Sequence, residues 1–253
     1  GVQWFMAFAA IAVVAILFVS YMRTLAQQDE KMRSSVGEAI GYIQQSDEDI
    51  VAMDQLLGQE VNDGTVSQMK ELLEKLPSSN SLLDRATNKA TEVLNGDDNS
   101  GGVEMATRAQ ESAQARKTLV QAGIDLLDAA VSAEEAIDDM NEAWEALKLG
   151  HEKSVAAAEL VKDTTEENVT QSMALSKEAI DYYQQALLSI SAASKLVPSA
   201  NLQAYLNYAN TALSAEQEAV ESDEAILLQD KSTAENHNDS ANTYTTAASR
   251  IAE

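Results

Sequence analysis

The side chains of this sequence that could do chemistry are two histidines, several paired carboxylates and a group of four tyrosines. Neither His151 nor His237 lies in a Glu-x-x-His or His-x-x-x-His frame, the spacing that places ligands on one helix face in di-iron and zinc-protease sites. No Gly-x-x-x-x-Gly-Lys loop is present to cradle a phosphate, and no Gly-x-Ser-x-Gly elbow presents a serine nucleophile. Without cysteine there are no thiolate metal sites and no disulfides. Asp97, Asp98 and Asn99 lie in a Gly-rich stretch of the kind that can hold calcium. An EF-hand, however, needs a Glu six residues after its Gly, and counting from Gly102 gives Arg108. The acidic groups Asp47-Glu48-Asp49, Glu134-Glu135 with Asp138-Asp139, and Glu166-Glu167 read as exposed helix faces and helix N-terminal charge. Tyr182, Tyr183, Tyr205 and Tyr208 flank Pro198, so two antiparallel helices would bring them together. Core packing is one reading of that group, and a peptide-binding groove is the other. The expectation is a non-enzyme with no cofactor and no metal.

The element that must position everything else is the first stretch. Residues 2–22 read VQWFMAFAAIAVVAILFVSYM, with no charge, no Pro and no Gly. About 20 apolar residues at 1.5 Å rise span a bilayer core of roughly 30 Å. Trp4 and Phe5 near one end and Tyr21 at the other suit the headgroup layers, and Arg23 stops the run. A single-pass anchor over 1–23 is therefore expected, in contact with lipid through 2–22.

Its orientation draws on two opposed signals. Arg23, Lys31 and Arg33 follow the run, which by the positive-inside rule places the large domain in the cytoplasm. The sequence begins at Gly1 rather than Met, so residues upstream could carry the deciding charges. With 41 acidic and 17 basic residues, net charge −24, the remainder suits an exported domain, and the extracytoplasmic side is expected. The same charge repels nucleic acid and anionic headgroups.

Beyond the anchor the chain reads as all-α: Ala is abundant, only Pro77 and Pro198 occur, and two-residue alternation is missing. Met32, Val36, Ala39, Ile43, Ser46, Ile50, Met53 and Leu57 recur at alternating four- and three-residue steps, the seam of a coiled coil or bundle helix. This predicts a stalk helix over 24–58 whose stripe is covered by the rest of the chain or by a neighbour. A turn follows at 58–64, then short helices over 65–76, closed by Pro77, and 81–94, opened by a Ser81/Asp84 capping box. Residues 95–102 (NGDDNSGG) read as a flexible joint. A long helix is expected from 103 or 104 to 149, ended by Gly150 and open to a break at Gly123. Further segments follow over 152–162, from a Thr164/Glu167 capping box to before Pro198, and over 201–229 and 232–251. The predicted organisation is an anchor (1–23), a stalk (24–58), short helices and linker (59–102), and a helical bundle or repeat domain (103–253).

The triplet Glu-Ala-Ile recurs at 135, 178 and 224, with a fourth copy at 38, which suggests stacked helical hairpins. EAIDYYQQAL at 178–187 resembles the second helix of a tetratricopeptide repeat. Pro198 with AYLNYAN at 204–210 resembles the repeat's Pro and the next first helix. This likeness covers about residues 178–230 and implies a protein-binding hairpin array. A chain starting directly on an apolar helix that continues as an amphipathic one also resembles the N-terminal helix of type IV pilins. That likeness implies self-assembly through the N-terminal helix.

The leading expectation is a membrane-anchored, non-enzymatic helical protein acting as a scaffold or assembly subunit of a membrane or cell-surface complex. A structural subunit of a filament or surface array is one alternative, and a sensor-type helical bundle is another. The positions expected to carry interactions are Met32, Val36, Ile43, Ile50 and Met53 on the stalk and Tyr182, Tyr183, Tyr205 and Tyr208 at the Pro198 turn, with Trp4, Phe5, Tyr21 and Arg23 at the membrane.

Overall fold

Heptad stripes organise the folded chain. The computed structural model describes residues 32–95 and 100–252, and the described residues form six α-helices and no strand. These are α1 (Met32–Leu57), α2 (Asp63–Leu94), α3 (Ser100–Leu160), α4 (Glu166–Leu196), α5 (Ala200–Leu227) and α6 (Lys231–Ala252). The all-α expectation holds. Among the described residues no helix is long and apolar enough to cross a membrane. The expected anchor, with Trp4, Phe5, Tyr21 and Arg23, lies outside them, as do Asp97, Asp98 and Asn99.

The chain divides into two compact units, 1–131 and 132–253, with the boundary falling within the sequence of α3. In α3 the buried positions 120, 127 and 131 are followed by 136 and 143, so the stripe changes phase at that boundary. The first unit packs α1, α2 and the first half of α3 around one core. Ion pairs and hydrogen bonds join 35 to 92, 38 to 89 and 49 to 79, the descending register of an antiparallel pair. Pairs 84–117 and 91–110 make α2 and α3 antiparallel as well. Ile43, Met53, Met69, Leu76, Leu83 and Leu127 are the largest side chains sealed inside. The stalk stripe is thus covered by this chain's own α2 and α3.

Arg116 occupies an apolar-stripe position of α3 and is 3% exposed. Its Nε donates to Asp47 Oδ1 at 2.6 Å and its Nη2 to Oδ2 at 3.1 Å, a fork that fixes α1 against α3. Ser46, the one polar residue of the α1 stripe, is fully buried and donates to the Ile43 carbonyl at 2.7 Å.

Two expected helix breaks, at Pro77 and Gly150, do not occur, nor does the break left open at Gly123. Pro77 lies inside α2, which runs unbroken from the Asn62–Thr65 capping box to Leu94. A mid-helix Pro costs about 3 kcal/mol. Here Leu72 and Leu76 on one side and Leu83 and Ala86 on the other are buried in the same core, and their packing outweighs that cost. Gly123 interrupts nothing because it is a contact site: a Cβ there would lie 1.8 Å from Met53 Sδ. Gly150 does not end α3 because its missing side chain leaves room for the Tyr183 ring, 3.0 Å from where a Cβ would stand.

The second unit comprises the last part of α3 with α4, α5 and α6. Lys153 pairs with Glu178 and Gly150 abuts Tyr183, and His237 pairs with Glu218 while Ser222 bonds to Ala234, the descending register of antiparallel neighbours; Lys177 pairs with Glu224 between α4 and α5. Thr165 caps α4, one residue from the expected position, and Ser199 caps α5 just past Pro198. Helix α5 closes with amide bonds from Gln229 to the Ile226 carbonyl and from Asp230 to Ala225, around Gln229 at φ 60°. Asp230 then caps α6 by accepting from the Thr233 amide and hydroxyl. The result is a four-helix bundle.

Candidate functional site

In the second bundle, residues 169, 172, 176, 179, 183, 186, 190 and 193 form the buried stripe of α4, a strict three–four alternation. Two of these positions are serines, Ser172 and Ser176, and Ser189 is buried beside the stripe. On α5 the stripe includes Glu216, 7% exposed, and Asp223, 4% exposed. On α6 the buried residues are Ala234, Ala241 and Ala248, one per heptad. The core proper is mostly alanine, with Leu147, Tyr183 and Ile190 as its large members.

Small and polar side chains facing one another leave space, and the space is a groove. A cavity of about 590 Å³ runs between α3, α4, α5 and α6, with Ser154, Ser176, Tyr183, Tyr208, Glu216 and Asp223 among its walls. It is half open, with exposed His151 at its edge. A second cavity of about 470 Å³ shares Val161, Ser222, Asp223 and Asn238 with the first and extends to Lys231 and Glu235. Sites of this size, roughly 300–1,000 Å³, hold small molecules.

The acids in the groove have donors but no counter-charge in contact. Ser154 donates to the Glu216 carboxylate, and the Ser176 hydroxyl near Glu216 and the Ser172 hydroxyl near Asp223 favour the charged carboxylates. Asp223 Oδ2 is buried without a hydrogen-bond partner. Burial pushes both carboxyls above their ordinary range, partly opposed by the serines; His151 adds a further lowering at Glu216, while Glu216 itself pushes Asp223 higher. Burial also raises the Tyr183 and Tyr208 hydroxyls. Seven residues on a helix advance about 10.5 Å and return to nearly the same face, so the two acids stand in one row two turns apart.

Of the expected tyrosines, the groove brings together Tyr183 and Tyr208; Tyr182 is half-buried and Tyr205 is exposed, and neither lines it. Val36, Ile43, Ile50 and Met53 lie in the core of the first unit, and Met32 begins α1. Sequence reasoning passed over Glu216, Asp223 and the serines. Their signal was a heptad stripe (209, 212, 216, 219, 223) that carries acids where apolar residues belong.

Among the described residues no group of three or more His, Asp or Glu side chains is arranged to hold a metal ion. Comparison with models of protein families, with curated protein sequences and with solved structures finds no match for this chain.

Proposed function

We propose that this chain is a membrane-anchored, non-enzymatic helical protein of sensor type. The run at 2–22 tethers it as a single pass, with the bundles on the extracytoplasmic side. The C-terminal bundle binds a small polar ligand in its groove. One observation carries this reading: Asp223 keeps a carboxylate oxygen buried and unpartnered on the wall of an open cavity. Leaving such an atom unsatisfied costs about 1–3 kcal/mol, which a bundle selected only for packing would remove with an Ala or Leu.

The test is thermal melting of the full chain in mild detergent against a panel of amines, amino acids, polyols, sugars and carboxylates. A ligand at 100 times its Kd stabilises by about 2.7 kcal/mol, which raises Tm by several degrees. At least one class should do so for the native chain and not for Ala219→Leu, which fills the groove. If no class stabilises the native chain, the reading fails. Fractionation of the full chain against a version starting at Thr24 tests the tether.

A scaffold role is the second reading, and a specific surface favours it. Ile137 and Trp144, one heptad apart on α3, are 54% and 59% exposed. Aromatic and aliphatic side chains presented together on one helix face are the usual anchors of a protein contact. The filament reading rests on residues 1–31 alone, because the α1 stripe is already occupied by α2 and α3.

A further inference from the structure

The groove is acidic by construction, and the nature of its ligand follows from what is missing there. Neither Lys nor Arg lines the larger cavity. Lys231, which lines the smaller one, is engaged with Glu235 at 3.6 Å and is 87% exposed. Lys177 and Lys153 point their charges to Glu224 and Glu178. Glu216 and Asp223 are therefore two buried carboxyls on one face of α5, supported by serine hydroxyls, with His151 at the groove edge on the Glu216 side. Two aromatic rings, Tyr183 and Tyr208, share the same walls, and ring faces favour organic cations.

Resting on the ligand-binding reading above, we propose that the groove binds a linear organic diammonium. One ammonium sits against Glu216 with Tyr183 and Tyr208, and the other is bound by the free oxygen of Asp223. The methylene chain between them lies along the alanines of α5 and α6. The row geometry sets the length: charged ends on the order of 10 Å apart match acids two helical turns apart. A metal ion is a poorer fit, because the acids are too widely spaced to share one ion and no third ligand joins either.

The experiment is calorimetric titration of the full chain in mild detergent with 1,6-diaminohexane, 1-aminohexane and hexane-1,6-diol. The variants are Asp223→Asn and Glu216→Gln, which keep size and hydrogen bonding, and Glu221→Gln, an exposed acid on the same helix. The expected result is one diamine per native chain, at least tenfold weaker binding in Asp223→Asn and in Glu216→Gln, and native affinity in Glu221→Gln. The monoamine should bind at least tenfold more weakly than the diamine, and the diol should not bind. Equal losses in all three variants would mean diffuse attraction to an acidic surface and would overturn the assignment. Diol binding equal to that of the diamine would overturn the cation while leaving the groove a ligand site. If the diamine fails but another class in the melting panel succeeds, this inference falls and the broader reading stands. Circular dichroism of each variant checks that the helices are intact.

Discussion

Gly→Ala substitutions at three helical positions should change sign within one bundle, and that reversal tests the packing of α1 against α3. In an exposed helix interior Gly→Ala stabilises by about 0.8–1 kcal/mol through propensity alone. Gly37 and Gly41 on α1 have nothing within 4 Å of an added Cβ, so each Ala there should raise stability by about that amount. At Gly123 the added Cβ would meet Met53 Sδ at 1.8 Å, Cε at 2.6 Å and Cγ at 2.9 Å. Met53 is 0% exposed and has no solvent to move into. Overpacking of this kind costs about 1–3 kcal/mol, and a clash along most of a side chain belongs at the upper end. Subtracting the propensity gain leaves Gly123→Ala destabilised by about 1–2 kcal/mol. Hydrogen exchange of the α1 amides in the full chain is the suitable assay, because two compact units need not unfold in one step. Opening of α1 should become about fivefold to thirtyfold more frequent in Gly123→Ala and about fivefold rarer in Gly37→Ala. Combining Gly123→Ala with Met53→Ala should cost less than the two single changes added together, since the new methyl occupies space the thioether vacates. Stabilisation by Gly123→Ala equal to that by Gly37→Ala would refute the contact and the parallel placement of α1 on α3.

Three further outcomes are expected. Asp47→Ala leaves the Arg116 guanidinium buried without its fork partner and should cost about 3 kcal/mol, whereas Asp47→Ala with Arg116→Met should recover most of that loss; urea denaturation of both variants decides. The raised Glu216 and Asp223 carboxyls hold their protons more tightly folded than unfolded. Their contribution to stability is therefore complete below the ordinary carboxylate range and is lost as pH rises through the higher folded values. Melting of the C-terminal bundle should accordingly fall as pH is raised from about 4 toward neutrality, and Glu216→Gln with Asp223→Asn should flatten the profile. Gln229, at φ 60° between α5 and α6, adopts a left-handed conformation that costs an L-residue about 1 kcal/mol, so Gln229→Gly should raise the bundle's melting temperature by a few degrees.

Much of the fold was legible because heptad periodicity is a local signal with a tertiary meaning. The stripe from Val36 to Met53 is buried as its spacing requires, and only its cover, α2 and α3 of the same chain, had to come from the structure. The breaks expected at Pro77 and Gly150, and the one left open at Gly123, do not occur for one shared reason. Each residue's cost is local, whereas what offsets it is a distant contact: the Leu76 and Leu83 core around Pro77, Met53 on Gly123, Tyr183 on Gly150. No window of sequence contains both halves of such a balance. The groove was half legible in the same sense. Tyr183 and Tyr208 stood out as aromatics around a turn, while Glu216 and Asp223 looked like two more charges among 41 acids. What distinguishes them is phase. The exposed acids of α5, Glu221 and Glu224, fall off the buried stripe, and Glu216 and Asp223 fall on it. An amphipathic helix that places carboxylates in its own apolar seam works against its packing, and a local rule broken without gain in stability points to a site kept for binding.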